Sequence, residues 1–153
     1  MREGSSFMKI IGAGKKTKII VDICMTVFMI LSFVRWDDSN FIFHAVVGTG
    51  CALFFALHCT IHFNWLKATT KAFFQGKLKK ALRWKYLVDV LLLTTWSIAI
   101  VTGFLAVGYF SFGIESMNFG GLHGATSRIG LVLVVVHVFQ HLPQIKSYIR
   151  GKR

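Results

Sequence analysis

All six histidines of this 153-residue chain fall into two triplets that share one internal spacing. The intervals within each triplet are 14 and 4 residues, and the second triplet follows the first by 79 residues. The triplets are His44, His58 and His62, then His123, His137 and His141. Imidazole nitrogens are the commonest metal ligands among side chains. The repeated spacing therefore indicates a duplicated site for a metal or a metal-containing cofactor.

Helical geometry places the first two histidines of each triplet on one face. A step of 14 residues returns to within about 40° of the same face and advances about 21 Å along the axis. Small residues lie between these histidines and leave room for a flat macrocycle, so we expect them to contact the cofactor. The two stripes contain His44, Gly48, Cys51 and His58, and His123, Gly130 and His137.

Haem iron accepts one axial histidine on each face of the ring, and two parallel helices with this interval can hold two stacked haems. We expect His44 to pair with His123 near the external face. We expect His58 to pair with His137 nearer the cytoplasm. There is no C-x-x-C-H run for covalent attachment, so the expected cofactors are two non-covalent haem b groups. His62 and His141 remain alternative inner ligands or supports of those ligands.

The elements that carry these residues are predicted to be membrane helices. The chain is 54% hydrophobic with a single proline, and its apolar stretches cover about 19–34, 41–66, 86–108 and 122–145. A spanning helix needs about 20 residues. The first stretch could be a signal peptide, but no small-residue cleavage site follows it. We predict an all-α membrane protein, a four-transmembrane-helix bundle that forms a single domain over 1–153.

A second repeat shows that each half is a helical hairpin. Lys18-Ile-Ile-Val-Asp22 matches Lys85-Tyr-Leu-Val-Asp89 with a shift of 67 residues. The bundle is then two parallel-repeat hairpins. Asp22 and Asp89 share the depth of the last histidine in each triplet, so they are predicted to orient the inner ligands or to relay protons to a quinone. Alternatively, each aspartate forms an i,i+4 pair with its lysine.

The 18 basic residues predict the topology. Five lie in residues 1–18, seven in 67–85 and four from 146 onward, and basic residues are retained on the cytoplasmic side. Both termini should therefore be cytoplasmic. Arg35 and Arg128 remain for the external side, where they could bind haem propionates or extend toward the headgroups. Nucleic-acid binding is disfavoured because the charges flank apolar spans and no such motif is present.

Several motifs carry a resemblance to a known family. They are His44 with Gly48, His58-x-x-x-His62-x-x-Trp65, and Leu122-His123 followed by His137-x-x-x-His141. Over nearly its whole length the chain resembles the flavinylation-associated cytochromes, and its histidine spacing is similar to the diheme cytochrome b of bc complexes. It departs from the family pattern at Ala45, often an acid there, and at His62, often an asparagine.

The resemblance implies a b-type cytochrome of the bacterial cytoplasmic (inner) membrane. Electrons would pass through its two haems between a quinone or another redox partner and a partner protein, for which an extracytoplasmic flavoprotein is the candidate. Membrane lipid is the other expected partner. At this size the chain is expected to work as one subunit of a larger oxidoreductase rather than alone.

Two other classes of function remain open. His-x-x-x-His places two imidazoles on one helical face and can bind zinc, so a haem-free zinc or proton transporter is one alternative. A zinc peptidase would need Glu after the first histidine, where this chain has Cys59 and Val138. The other alternative is a haem-binding membrane anchor subunit that does not itself transfer electrons.

Overall fold

The computed structural model describes residues 14–33, 41–112 and 118–149. These residues form four α-helices, and no strand occurs among them. The helices are α1 (Lys15–Phe33), α2 (Phe41–Phe74), α3 (Lys80–Phe112) and α4 (Phe119–Ile149). The predicted all-α class with four helices is confirmed.

Three of the four helices are long and apolar enough to cross a membrane: Phe41–Phe74, Lys80–Gly108 and Phe119–Ser147. α1 is shorter, with 19 residues, and carries Lys16, Lys18 and Asp22. It does not join the three spans found among the described residues. A fourth span therefore stays a prediction from the sequence.

The chain divides into two compact units, Met1–Lys71 and Ala72–Arg153. In the first unit α1 runs antiparallel to α2, because the Ser32 carbonyl lies against His44 and the Asp22 carboxylate lies against His58. Between these two contacts Phe28 stacks on a phenylalanine of α2, Phe54, with ring centroids 5.3 Å apart.

The second unit is an antiparallel pair of α3 and α4. The Ala99 carbonyl lies against His123, and the Lys85 ammonium donates to the Gln140 carbonyl at 2.8 Å near the other end of the pair. Its most enclosed side chains lie on α3: Tyr86, Val88, Thr95, Ala99 and Thr102. Each unit is thus a helical hairpin.

The connection between α2 and α3 is basic and rich in aromatic residues. Such a pattern in 68–84 could form a separate helix on the inner leaflet, although Gly76 weakens it. In the structure α2 instead continues to Phe74, eight residues beyond the predicted end of the span, and α3 begins at Lys80. Phe73 packs on Tyr86 with ring centroids 4.9 Å apart, so this segment is the tip of the two helices and their tight turn.

Gly76 ends α2. Its φ of 69° is in the left-handed region, which glycine adopts without a Cβ penalty. The Gly76 N–H donates to the Phe73 carbonyl and the Lys77 N–H donates to the Ala72 carbonyl, both at 3.0 Å. This pair of bonds is the Schellman motif. The Arg83 guanidinium donates to the Gly76 carbonyl at 3.0 Å and closes the turn.

The outer surfaces of the described helices are apolar. Ile42 is 77% exposed and Phe139 is 68% exposed, and many other large apolar side chains also face outward. Hydroxyl groups on the helices bond to the carbonyl four residues earlier, as they do at Thr26, Ser32, Thr49, Thr60, Thr69, Thr94, Ser97, Thr102 and Thr126. Hydrocarbon surroundings require polar groups to be satisfied internally, so both features suit helices in a bilayer.

Candidate functional site

The first unit brings one aspartate and two histidines together. α1 supplies Asp22, and α2 supplies His58 and His62 one turn apart on the same face. His58 Nδ1 lies 2.7 Å from Asp22 Oδ1, and the His62 ring lies against the His58 ring with centroids 4.6 Å apart. One ligand atom from each of the three residues lies within 4.8 Å of the others.

The second unit repeats this arrangement. His137 Nδ1 lies 2.6 Å from Asp89 Oδ1, and the His137 and His141 rings have centroids 4.6 Å apart. The carboxylate also approaches the second imidazole, with His141 Nε2 3.6 Å from Asp89 Oδ2. The Asp89 side chain is 10% exposed, against 47% for Asp22. The second unit therefore encloses its aspartate more fully.

The aspartates pair with histidines rather than with lysines. Throughout the described ranges 14–33, 41–112 and 118–149, the ion pairs of Asp22 and Asp89 are made with imidazoles. Lys85, one turn before Asp89, donates instead to the Gln140 carbonyl. The alternative of two i,i+4 lysine–aspartate pairs is therefore not what the structure shows. The sequence predicted each aspartate to be level with the last histidine of its triplet, whereas the structure bonds it to the middle histidine, one turn earlier; Asp89 also approaches His141 at 3.6 Å.

The first histidine of each triplet contacts a backbone carbonyl instead. His44 Nδ1 lies 3.1 Å from the Ser32 carbonyl oxygen, and His123 Nδ1 lies 2.7 Å from the Ala99 carbonyl oxygen. Ser32 and Ala99 are 67 residues apart, the same shift that relates the two aspartates. The sequence did not predict either partner, because every residue has a backbone carbonyl and the residue type does not mark the one that is used. The 67-residue shift relates the two partners, so knowledge of one of them would have predicted the other.

These contacts define the chemistry of the four imidazoles. A carbonyl oxygen only accepts hydrogen bonds, so Nδ1 of His44 and His123 must carry the proton and donate it. The aspartate carboxylates accept from His58 and His137 in the same way. A neutral imidazole protonated at Nδ1 has its lone pair on Nε2, the nitrogen that can then coordinate a metal. The four predicted ligands thus share one tautomer and one mode of support from the preceding helix.

The small residues predicted to contact a cofactor have different surroundings. No atom lies within 4 Å of the position that a Cβ would take at Gly48, and Cys51 is only 4% exposed. A Cβ at Gly130 would lie 3.1 Å from Trp96 Nε1. Gly130 therefore accommodates an indole of its own hairpin, whereas the space beside Gly48 is open.

Gly103 is a further residue that sequence reasoning missed. A Cβ there would lie 3.0 Å from both Nδ1 and Cε1 of His123, so the glycine allows the imidazole to reach the Ala99 carbonyl.

Of the two predicted propionate partners, Arg128 lies exposed on α4, one turn beyond His123. Arg35 lies outside the described residues.

Four buried polar atoms lack a hydrogen-bond partner among the described residues, and all four belong to one end of the α3–α4 pair. They are Asp89 Oδ2, Gln140 Oε1, His141 Nε2 and Gln144 Oε1. The equivalents of the two glutamines in the first unit are Ile61 and Trp65. Buried acceptors are normally paired with protein or ordered water. Two of the four atoms, Asp89 Oδ2 and His141 Nε2, face each other at 3.6 Å.

Comparison with protein-family models, with curated proteins and with solved structures finds no match for this chain. The resemblance to the flavinylation-associated cytochromes therefore stays a prediction from the quoted motifs.

Proposed function

We propose that this chain is a membrane b-type cytochrome that transfers electrons through two haems, each held by two axial histidines. The observation that carries the proposal is the shared arrangement of His44, His58, His123 and His137. Each directs Nδ1 to an acceptor on the preceding helix. Metal-ligating histidines nearly always have such a partner, which fixes the tautomer and the ring orientation.

The pairing in this proposal is the one predicted from the repeat, His44 with His123 and His58 with His137. When bound, each haem supplies one-electron chemistry at its iron. The work of the protein is to hold the imidazoles and to surround the rings with apolar side chains. Two histidines on each iron leave no open coordination position, which suits electron transfer better than oxygen chemistry.

The contacts also favour His58 and His137 over His62 and His141 as inner ligands. The former pair has the same Nδ1 arrangement as the outer histidines. His141 differs, because its Nε2 approaches the Asp89 carboxylate at 3.6 Å. In this proposal His62 and His141 pack against the ligating rings and support them.

The proposal places the chain in the bacterial inner membrane with both termini in the cytoplasm, on the basis of its basic residues. Redox exchange would occur with a quinone or with an extracytoplasmic flavoprotein. Arg128 is placed to bind a propionate of the outer haem. Ionisable groups within membrane helices are costly and are usually functional, which supports a role for the Asp–His sets.

A haem-free metal protein is the second candidate, because each unit gathers one Asp and two His donors within 4.8 Å. Zinc ligands at about 2.0 to 2.1 Å in a tetrahedral site lie about 3.3 Å from one another. The Asp–His separations here are 2.7 and 2.6 Å, which are hydrogen-bond lengths. A three-residue metal site also leaves the matched arrangement of His44 and His123 without a role.

A reduced-minus-oxidised spectrum of the purified full-length protein, with haem and zinc assays, separates these two functions. The cytochrome requires b-type bands and two haems per chain. His58→Ala should retain one haem, whereas the matched control His62→Ala, one turn away, should retain two. Loss of a haem in the control alone would assign the inner ligand to His62. Stoichiometric zinc without haem absorbance would replace the cytochrome by a metal-ion protein.

The role as an electron conduit is tested separately from that of an anchor. Membranes containing the protein are mixed with a quinol analogue, and reduction of the haems is followed by absorbance. Reduction at a rate dependent on the quinol concentration is expected for a conduit. Haems that stay oxidised with quinol, but are reduced by dithionite, would assign the chain to an anchor role or to a different donor.

A further inference from the structure

The two histidine pairs have different supports, although their tautomers are the same. His58 and His137 donate to the carboxylates of Asp22 and Asp89. His44 and His123 donate to neutral backbone carbonyls. The difference occurs in both hairpins at equivalent positions, so it distinguishes one end of each hairpin from the other.

A carboxylate partner changes the electronic character of the ligand. Hydrogen bonding to an anion draws the Nδ1 proton away from the ring and raises the basicity of Nε2. A more basic axial imidazole stabilises ferric iron more than ferrous iron, and the negative charge nearby acts in the same direction. Hydrogen bonding around the ligands is one of the protein's means of setting the potential of an iron cofactor. A carbonyl partner has the same geometry but only a partial charge.

Within the described parts of the chain, the ion pairs of both aspartates are made with histidines and not with lysine or arginine. The nearest lysine on α3, Lys85, donates to the Gln140 carbonyl. The effect should be larger at Asp89, since its side chain is 10% exposed and also approaches His141. Asp22 is 47% exposed, and solvent or headgroups screen an exposed charge more strongly.

We infer that Asp22 and Asp89 hold the midpoint potential of the inner haem below that of the outer haem by making His58 and His137 stronger electron donors. This inference rests on the proposed function. The two haems would then differ in midpoint potential, the outer one being the higher. A single electron shared by the two haems resides mainly on the one supported by backbone carbonyls.

The test is an equilibrium redox titration of the full-length protein, followed through the haem absorbance. The wild type should show two components, and His58→Ala should remove the lower one. Asp22→Asn and Asp89→Asn keep an oxygen that accepts from Nδ1 but remove the charge. Each should raise the lower component and leave the upper one in place, with the larger rise in Asp89→Asn.

Thr94→Val is the matched control, because its hydroxyl lies on the helix of Asp89 and bonds to the Val90 carbonyl one turn earlier. It should keep the wild-type potentials. Unchanged potentials in both asparagine variants, or a rise confined to the upper component, would overturn the inference.

Failure of the inference is distinct from failure of the proposed function. A wild-type protein that binds no haem refutes the function itself. A protein that binds two haems, and whose two potentials are unchanged when either aspartate is replaced, refutes only the inference. If an asparagine variant loses its haem, the glutamate variant at the same position restores the charge. A low potential there supports the role of the charge, and a potential equal to that of the outer haem refutes it.

Discussion

Replacement of Gly103 by alanine tests whether the contact between α3 and α4 positions an iron ligand. Gly103 lies one turn after Ala99 on α3, and its missing side chain gives His123 the room to bond to the Ala99 carbonyl. An added methyl group would press directly on the imidazole. In the proposed cytochrome, the expected result is weaker binding of the haem assigned to His44 and His123, while the haem assigned to His58 and His137 is unaffected.

The size of the effect can be worked out from the distances. A Cβ at position 103 would lie 3.0 Å from Nδ1 of His123, whereas nonbonded contacts are most favourable at about 3.5 to 4.0 Å. The ring must therefore retreat by about 0.5 Å. Its bond to the Ala99 carbonyl, now 2.7 Å, would stretch to about 3.2 Å, the upper limit of a good hydrogen bond.

Such overpacking typically costs about 1 to 3 kcal/mol. With a factor of ten for every 1.4 kcal/mol, haem affinity at this ligand should fall by about 5- to 140-fold. The measurement is a titration of haem into the full-length protein in detergent, which resolves two affinities in the variant.

Gly108→Ala is the matched control, since it lies on the same helix and no atom is within 4 Å of its added Cβ. It should bind both haems as the wild type does. If Gly103→Ala binds haem with the same two affinities as Gly108→Ala, His123 is not a ligand positioned by this contact.

Two further predictions concern glycines outside the ligand contacts. Gly130→Ala would place a Cβ 3.1 Å from Trp96 Nε1. It should shift the tryptophan emission and lower the melting temperature by about 2 to 4 °C for each kcal/mol lost, with two haems per chain retained. Gly76→Ala forces a φ of 69° on a residue with a Cβ, at a cost of about 1 to 2 kcal/mol. Thermal unfolding should show a smaller loss for Gly76→Asn, because asparagine tolerates this conformation better.

The control for both is Gly120→Ala, whose Cβ would meet no atom within 4 Å. Loss of haem in Gly130→Ala without a change in tryptophan emission would return this glycine to the role expected from the sequence, contact with the macrocycle. Equal stability of Gly76→Ala and wild type would contradict the Schellman description of the turn.

The contacts of the aspartates could be anticipated because charge is costly in apolar helices and the repeat gives equal depths. Asp22 and Asp89 stand out in apolar stretches, and the sequence predicts each to be level with the last histidine of its triplet, one turn from the histidine that it contacts. The supports of His44 and His123 could not be anticipated in the same way. Every residue has a carbonyl, so only the fold selects those of Ser32 and Ala99.

The segment 68–84 shows a second limit of prediction from the sequence. Basic and aromatic residues at helical spacing look the same in a helix that lies on a membrane and in a helix that continues beyond it. In the structure α2 continues to Phe74 and Phe73 packs on Tyr86 of α3, a contact between two helices that the pattern of residue types does not specify. The sequence shows a glycine at position 76, but only the structure shows that this glycine has a positive φ and ends α2.

The length of α2 has a consequence for the position of the turn that follows it. Its 34 residues extend about 51 Å at 1.5 Å per residue, whereas the hydrocarbon core of a bilayer is about 30 Å thick. The part beyond Lys67 adds about 10 Å. If α2 spans a bilayer, Lys71 and the turn at Gly76 would lie beyond the hydrocarbon core, on the side of Lys67. The connection between the two hairpins would then meet headgroups and water instead of hydrocarbon.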